Sequence, residues 1–329
     1  MNTMKALLLE QYGAPFKWVD VARPRAAEGE VLVRIRASGV NPLDTKIRAG
    51  QAAHARHPLP AILGLDLAGV VEDAGPGVTG FRPGEEVFGM TGGVGGVQGT
   101  LAEFAAVDSR LLAPKPANLS MREAAALPLI FITAWEGLVD RVGLHSRQNV
   151  LVLGGGGGVG QMAIQIARSI GSDVYGVGGV AKADSIRAMG ATAIDLATEP
   201  PDAYVTRYTG GKGFDVVYDT VGGSSLDTAF QVVTRFGHVV SSLGWGTHSL
   251  APLSFKSATY SGVFTLTPLL TGEGREHHGA ILREASRLAT AGKLRPMLDL
   301  RTFTAGNILE AYELIAQRKA RGRLVVEFE

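Results

Sequence analysis

Gly155, Gly157 and Gly160 are spaced as G-x-G-x-x-G directly after an unbroken apolar run, Val150-Leu-Val-Leu153. Glycines at that spacing suit one kind of chemistry. The first permits a tight turn, the second lets backbone approach a pyrophosphate, and the third lets a helix close on a strand. Helix-terminal amides would then face the phosphates, where the helix dipole favours negative charge. The spacing alone is weak in a chain with 44 glycines. Its setting makes it specific, because Val159, Met162, Ala163, Ile166, Ala167 and Ile170 recur at helical intervals immediately afterwards. Strand, turn and helix in that order predict a dinucleotide site. A glycine turn that only packs helix on sheet is the competing reading.

The next strand reading, Asp173-Val-Tyr-Gly-Val177, bears on which dinucleotide. A fold that prefers NAD places an acid at the end of this strand to bind the ribose hydroxyls. Here the strand runs into Gly178-Gly179, and Lys182 opens the following helix. Without the carboxylate a 2′-phosphate is not repelled, and an ammonium attracts it. The expectation is NADPH. A solvated lysine at a helix start is the plainer alternative.

These residues need elements to hold them. From about 123 onward, strand-like and helical runs alternate: 150–153, 159–170, 173–177, 182–189, 192–196, 201–209, 214–219, 224–233 and 238–243. Tyr260–Leu266 reads as a closing strand. Repeated βαβ units predict a doubly wound parallel sheet. The first 120 or so residues differ. Glu30–Ala37 alternates apolar and polar residues, Leu67–Glu72 is a second strand, and Pro-Gly turns separate such runs. They predict an antiparallel, barrel-like domain. The tail carries two helical faces, around Ile281–Ala289 and Ile308–Ile315, and a last strand, Leu324–Phe328, that returns to the first domain. The resulting division is 1–122, 123–268 and 269–329, the last completing the first. Gly89–Gly99 reads as a flexible loop.

Composition narrows the classes. The chain has 329 residues, a net charge of +1 and no cysteine. Disulfides, thiolate nucleophiles and cysteine-ligated metals are excluded. No long basic run invites nucleic acid, and no apolar stretch of about 18 residues suggests a membrane span. The N-terminus reads as a strand rather than a leader, and the cytoplasm is the expected location. His277-His278 reads as a solvated helix start, since neighbours on a helix point about 100° apart. His54 and His57 read as loop residues.

Several runs together resemble the medium-chain dehydrogenase/reductase superfamily, and more narrowly its zinc-independent quinone oxidoreductase (zeta-crystallin-like) branch. They include Gly39-Val-Asn-Pro-Leu-Asp-Thr-Lys-Ile-Arg48, Leu63–Val71, Phe81–Gly89, Thr100–Phe104, Ala124–Trp135, Phe214–Gly222 and Ala320–Val326. The resemblance covers nearly the whole chain. It implies an α/β protein with a GroES-like β-barrel domain and a Rossmann domain. In the zinc alcohol dehydrogenases of the superfamily a cysteine stands at the position of Asn41, and a His-Glu pair at Leu65-Asp66. Leucine cannot ligate zinc and asparagine is a poor ligand, so no zinc is expected. A nicotinamide without a metal can still reduce a quinone or an activated alkene or carbonyl.

The resemblance also implies roles. Asn41 and Asp44 lie near the nicotinamide and its ribose, although Asn-Pro followed by Asp is equally a turn and helix cap. Lys46 stands where many relatives have a substrate-facing tyrosine. It reads as an acid or oxyanion partner, or as a surface lysine. Thr133 lies by the cofactor. Gly155, Gly157, Gly158, Val159 and Gly160 cradle the pyrophosphate, and Gly178, Gly179 and Lys182 surround the 2′-phosphate. Leu196 replaces a tyrosine there. Leu243, Gly244, Phe264, Thr265 and Leu266 hold the nicotinamide amide, and Arg323 reaches the cofactor. The substrate is a small molecule. A homodimer is expected, with Val263–Leu270 pairing strand to strand across a two-fold axis. An enoyl-thioester (enoyl- or acryloyl-CoA type) reductase is the second reading. A non-catalytic cofactor-binding protein, crystallin-like or RNA-binding, is the third.

Overall fold

The computed structural model describes residues 2–328. The chain divides into two compact units, Met1–Leu129 with Leu266–Glu329, and Ile130–Thr265.

In the second unit six parallel strands form one sheet. Its order is Thr192–Asp195, Asp173–Gly178, Asn149–Leu153, Phe214–Asp219, Val233–Ser241, Thr259–Gly262. In chain order this is 3-2-1-4-5-6, the doubly wound arrangement whose ligands bind at the carboxyl ends of the strands. The strands read as apolar runs because helices cover both faces. Leu151, Val152 and Val217 are fully buried.

The first unit is mainly antiparallel, with one short parallel pair between Phe303–Thr304 and Leu324–Glu327. Its long strand, Glu30–Val40, pairs with Asp66–Ala74, Phe104–Asp108 and the returning Leu324–Glu327. A smaller sheet joins Thr3–Leu9 to Lys17–Ala22 and Ala61–Ile62. This is the GroES-like domain.

Three expectations are corrected. The run Val263–Leu270 is not a strand: the last strand stops at Gly262, and Thr267–Thr271 is a helix with Pro268 in its first turn. Proline has no N–H to give a ladder but suits a helix start. Gly89–Gly99 is packed rather than a free loop. Val94 is fully buried, Gly95 N–H donates to Ala55 O at 2.8 Å, and a Cβ on Gly99 would lie 2.2 Å from Leu63 O. His277-His278 is only half solvated, since the 100° rotation between them buries His278 in the helix Arg275–Thr290. Among the described residues no helix is long and apolar enough to cross a membrane.

Candidate functional site

The glycine turn lies between the strand Asn149–Leu153 and the helix Gly158–Ile170. Gly154 turns the chain at φ 80°. The N–H groups of Gly154 and Gly155 both donate to Val177 O, at 3.1 and 2.9 Å. A Cβ on Gly160 would sit 2.2 Å from Gly154 O, so only glycine lets the helix approach this closely. Gly157 is the N-cap and is exposed, and Gly158, Val159 and Gly160 form the first helical turn. Their amides have no partner one turn back in the helix, which suits an anion.

Gly156 is a residue that sequence reasoning passed over. A Cβ there would lie 2.6 Å from Lys182 Cβ and 2.7 Å from its Cγ. The aliphatic stem of Lys182 therefore crosses the glycine turn. Gly178 lies on the other side, where a Cβ would be 3.5 Å from Lys182 Cβ. Leu196 N–H donates to Gly178 O at 3.0 Å, and the Leu196 side chain is exposed. The turn, Gly178, Gly179, Lys182 and Leu196 thus come together at one end of the sheet. The space that the missing Cβ atoms leave, and the cation beside it, fit a dinucleotide phosphate.

At the ends of the neighbouring strands, Asp219 is fully buried and gathers three donors. Ser241 Oγ donates at 2.8 Å, Val221 N–H at 3.2 Å and Gly222 N–H at 3.1 Å to each oxygen. Leu243 N–H donates in turn to Ser241 Oγ at 3.1 Å. This network positions Leu243 and Gly244. Gly244 must be small, because a Cβ there would meet Tyr260 Oη at 2.1 Å. Asp219 was legible only as part of the Phe214–Gly222 run. Phe264 packs edge-on against Trp245, with centroids 6.1 Å apart. Thr133 and Thr265 share a hydroxyl hydrogen bond of 3.1 Å.

In the first unit, Asn41, Asp66 and Arg323 meet because their strands end together. Gly39 is opposite Asp66, and Val40 is opposite Leu324, in adjacent antiparallel ladders. Arg323 Nη2 donates to Asn41 Oδ1 at 2.6 Å and its Nε to Ala126 O at 3.2 Å. Asn41 Nδ2 donates to Asp66 Oδ2 at 3.0 Å, and Leu129 N–H to Asp66 Oδ1 at 3.0 Å. Arg323 Nη2 also stands 3.8 Å from Asp66 Oδ2. Asp44 caps the helix Pro42–Arg48, accepting the Asn41 N–H at 2.8 Å through Oδ2. Asn41, Asp44 and Asp66 are each at most 1% exposed.

Two carboxyls therefore share one guanidinium in a dry interior. Burial pushes Asp44 up to about 8, with the nearby Asp66 adding to the shift. Burial also pushes Asp66 up to about 7, against the pull of Arg323 and the Asn41 amide. Among the described residues Asp44 Oδ1 has no hydrogen-bond partner, as has the buried Tyr312 hydroxyl. The proximity of Asp44 joins burial in raising Tyr312. Lys46 is exposed and lies about 200° around the helix from Asp44, so it is not part of this cluster. His57 is buried and instead ties two loops together. Its Nδ1 accepts from Gly96 N–H at 3.3 Å, and burial keeps it neutral below its usual range.

The cluster does not suit a divalent metal. Leu65 has no donor atom, both polar atoms of Asn41 are engaged, and Arg323 already supplies the positive charge at Asp66. Asp66, named in the sequence only as a position lacking the usual glutamate, is the acceptor that organises the site.

A GroES-like antiparallel unit and a 3-2-1-4-5-6 sheet with a glycine turn define the dehydrogenase-type fold. The family described as "Alcohol dehydrogenase GroES-like domain" matches residues 27–117, and "Zinc-binding dehydrogenase" matches residues 189–326. An alcohol dehydrogenase superfamily protein from Novosphingobium aromaticivorans is 57% identical, with a TM-score of 0.98 over 99% of this chain and 100% of that one. The 2-methylene-furan-3-one reductase of Solanum lycopersicum is 35% identical over 315 residues, 93% of this chain and 74% of that protein. The chloroplastic NADPH-dependent alkenal/one oxidoreductase of Arabidopsis thaliana is 32% identical over 338 residues, 98% of this chain and 79% of that protein. The chain spans only 13% of a longer relative, the spectinabilin polyketide synthase system protein NorB of Streptomyces orinoci. The chain belongs to the medium-chain dehydrogenase/reductase superfamily.

Proposed function

We propose that this protein is an NADPH-dependent, zinc-independent reductase acting on an activated alkene, a related conjugated carbonyl, or a quinone. The observation that carries the reading is the stem of Lys182 lying across Gly156, beside a second strand, Asp173–Gly178, that ends in glycine rather than in an acid. When bound, reduced nicotinamide supplies a hydride. The protein's own residues do the rest. Gly155, Gly157, Gly158, Val159 and Gly160 hold the pyrophosphate, and Gly178, Gly179 and Lys182 hold the 2′-phosphate. Leu243, Gly244, Phe264, Thr265 and Leu266 orient the nicotinamide amide, with Thr133 beside them. Asn41 and Asp44 are assigned to the nicotinamide by the family resemblance, and within the first unit Arg323 holds Asn41 through its Oδ1. The names of two relatives, the 2-methylene-furan-3-one reductase of Solanum lycopersicum and the NADPH-dependent alkenal/one oxidoreductase of Arabidopsis thaliana, support the alkene side of the reading.

Initial rates with NADPH and NADH at equal concentrations, on a 1,4-benzoquinone, an α,β-unsaturated ketone and an enoyl-CoA, test it. The expected result is an NADPH preference with turnover of the enone or the quinone. Preference for NADH would overturn the cofactor assignment. Turnover of the enoyl-CoA alone would favour the thioester reductase reading. Tight NADPH binding with no turnover would favour a non-catalytic protein.

A further inference from the structure

A cleft of about 480 Å³ opens in the first unit beside the helix Pro42–Arg48, and Tyr12, Ile47, Ala52, Arg56, His57 and Pro58 are among the residues that line it. That volume suits a small organic molecule. The turn that carries Tyr12 is pinned to the end of the helix. Arg48 Nη2 donates to Gly13 O at 3.0 Å and to Ala14 O at 2.8 Å, and Gly13 N–H donates back to Arg48 O at 2.8 Å. The Tyr12 ring lies over Gly50, where a Cβ would stand 3.1 Å from Tyr12 Cγ. Tyr12 is nevertheless 58% exposed, so it gives the cleft an anchored aromatic surface.

Arg56 gives the cleft its charge. Its backbone is left-handed, at φ 47° and ψ 42°. Glycine adopts that conformation freely, whereas a residue with a Cβ carries a cost there. The chain is held on both sides of it. Gly95 N–H donates to Ala55 O at 2.8 Å, and Gly96 N–H donates to His57 Nδ1 at 3.3 Å. Glycine would meet the needs of this backbone, and the guanidinium answers none of them. Among the described residues Arg56 forms no ion pair, and no acid lines the cleft. Burial keeps His57 neutral below its usual range, so the charge belongs to Arg56.

We propose that this cleft binds an aromatic carboxylate, with the ring against Tyr12 and the carboxylate at Arg56. The planar guanidinium fork matches the two oxygens of a carboxylate, and the apolar side chains of Ile47, Ala52 and Pro58 suit a flat hydrocarbon body. The site lies within the first unit and does not rest on the cofactor reading.

The test is calorimetric titration with 2-naphthoate and with 2-naphthamide, with no nicotinamide present. The two probes are nearly isosteric and differ in charge. At low ionic strength the wild-type protein should prefer the naphthoate by roughly fivefold or more, the value of one exposed ion pair at its upper end. The preference should shrink as salt is raised, because Arg56 is exposed. Arg56→Met keeps much of the aliphatic stem and should bring the two affinities to within about twofold. Arg56→Lys keeps the charge and should retain part of the preference. Tyr12→Ala should weaken both probes alike and leave their ratio intact. If Arg56→Met does not fold, Arg56→Gly suits the left-handed backbone and carries the same test. Equal affinities in the wild-type protein, an unchanged preference in a folded variant without the Arg56 charge, or no uptake of the naphthoate each overturn the proposal. None of these results touches the cofactor reading.

Discussion

At the scale of residues, the informative fact is a charge count. Asp44 and Asp66 are two buried carboxyls, and among the described residues Arg323 is the cation placed against them. Neutrality leaves one proton in the cluster, and burial assigns it to Asp44. The consequence for stability has a definite sign. An unfolded aspartate ionises near 3.9, whereas Asp44 in the fold does so at about 8. Between those values the folded state holds a proton that the unfolded state has released. Stability is then complete below about pH 4, falls as pH rises, and levels off above about 8, by at most about 1.4 kcal/mol per pH unit for this group. Asp44→Asn removes the titration while keeping an acceptor for the Asn41 N–H. Urea unfolding of both proteins at pH 5, 6, 7 and 8 should show the variant gaining on the wild type as pH rises. Parallel pH curves would refute the charge count.

At the scale of elements, close approach decides what each strand and helix tolerates. The helix Gly158–Ile170 lies against the turn before it only because Gly160 has no side chain. Gly160→Ala would place a methyl 2.2 Å from Gly154 O, and that contact is with rigid backbone. We expect a loss of about 1–3 kcal/mol in unfolding free energy, the usual cost of overpacking. Dinucleotide binding should weaken on the order of tenfold or more, because the first-turn amides move with the helix. Calorimetric titration alongside thermal unfolding separates the two effects. Binding that survives unchanged would mean the phosphates do not use this turn.

At the scale of the whole molecule, the question is what the exposed sheet edge is for. Thr259–Gly262 ends the parallel sheet and pairs on one side only, with Val233–Ser241, among the described residues. An uncovered edge strand is a template for a second chain. A two-fold pairing of this strand with its copy would satisfy it, and it is shorter than the run the sequence suggested. Light scattering at micromolar concentration should give twice the chain mass, and Gly262→Pro, which removes an N–H on the open side of the strand, should shift the protein to monomer. A wild-type monomer would remove the dimer from the reading.

The amino-acid sequence by itself determined the parallel sheet, its glycine turn and the elements around it, because periodicity and turn chemistry are local. The runs at 150–153, 159–170 and 214–219 lie where strand and helix form. The antiparallel character of the first unit was local in the same sense. Other features depend on residues that lie far apart in the chain. Arg323 and Asn41 are 282 positions apart and touch because two strands end at the same level. Tyr218 donates its hydroxyl to Thr133 O, 85 positions away. No local pattern shows that Asp44 is dry, that His278 faces inward, or that Val263–Leu270 gives way to a helix. Burial and register are properties of the packed chain, and only the tertiary structure decides them.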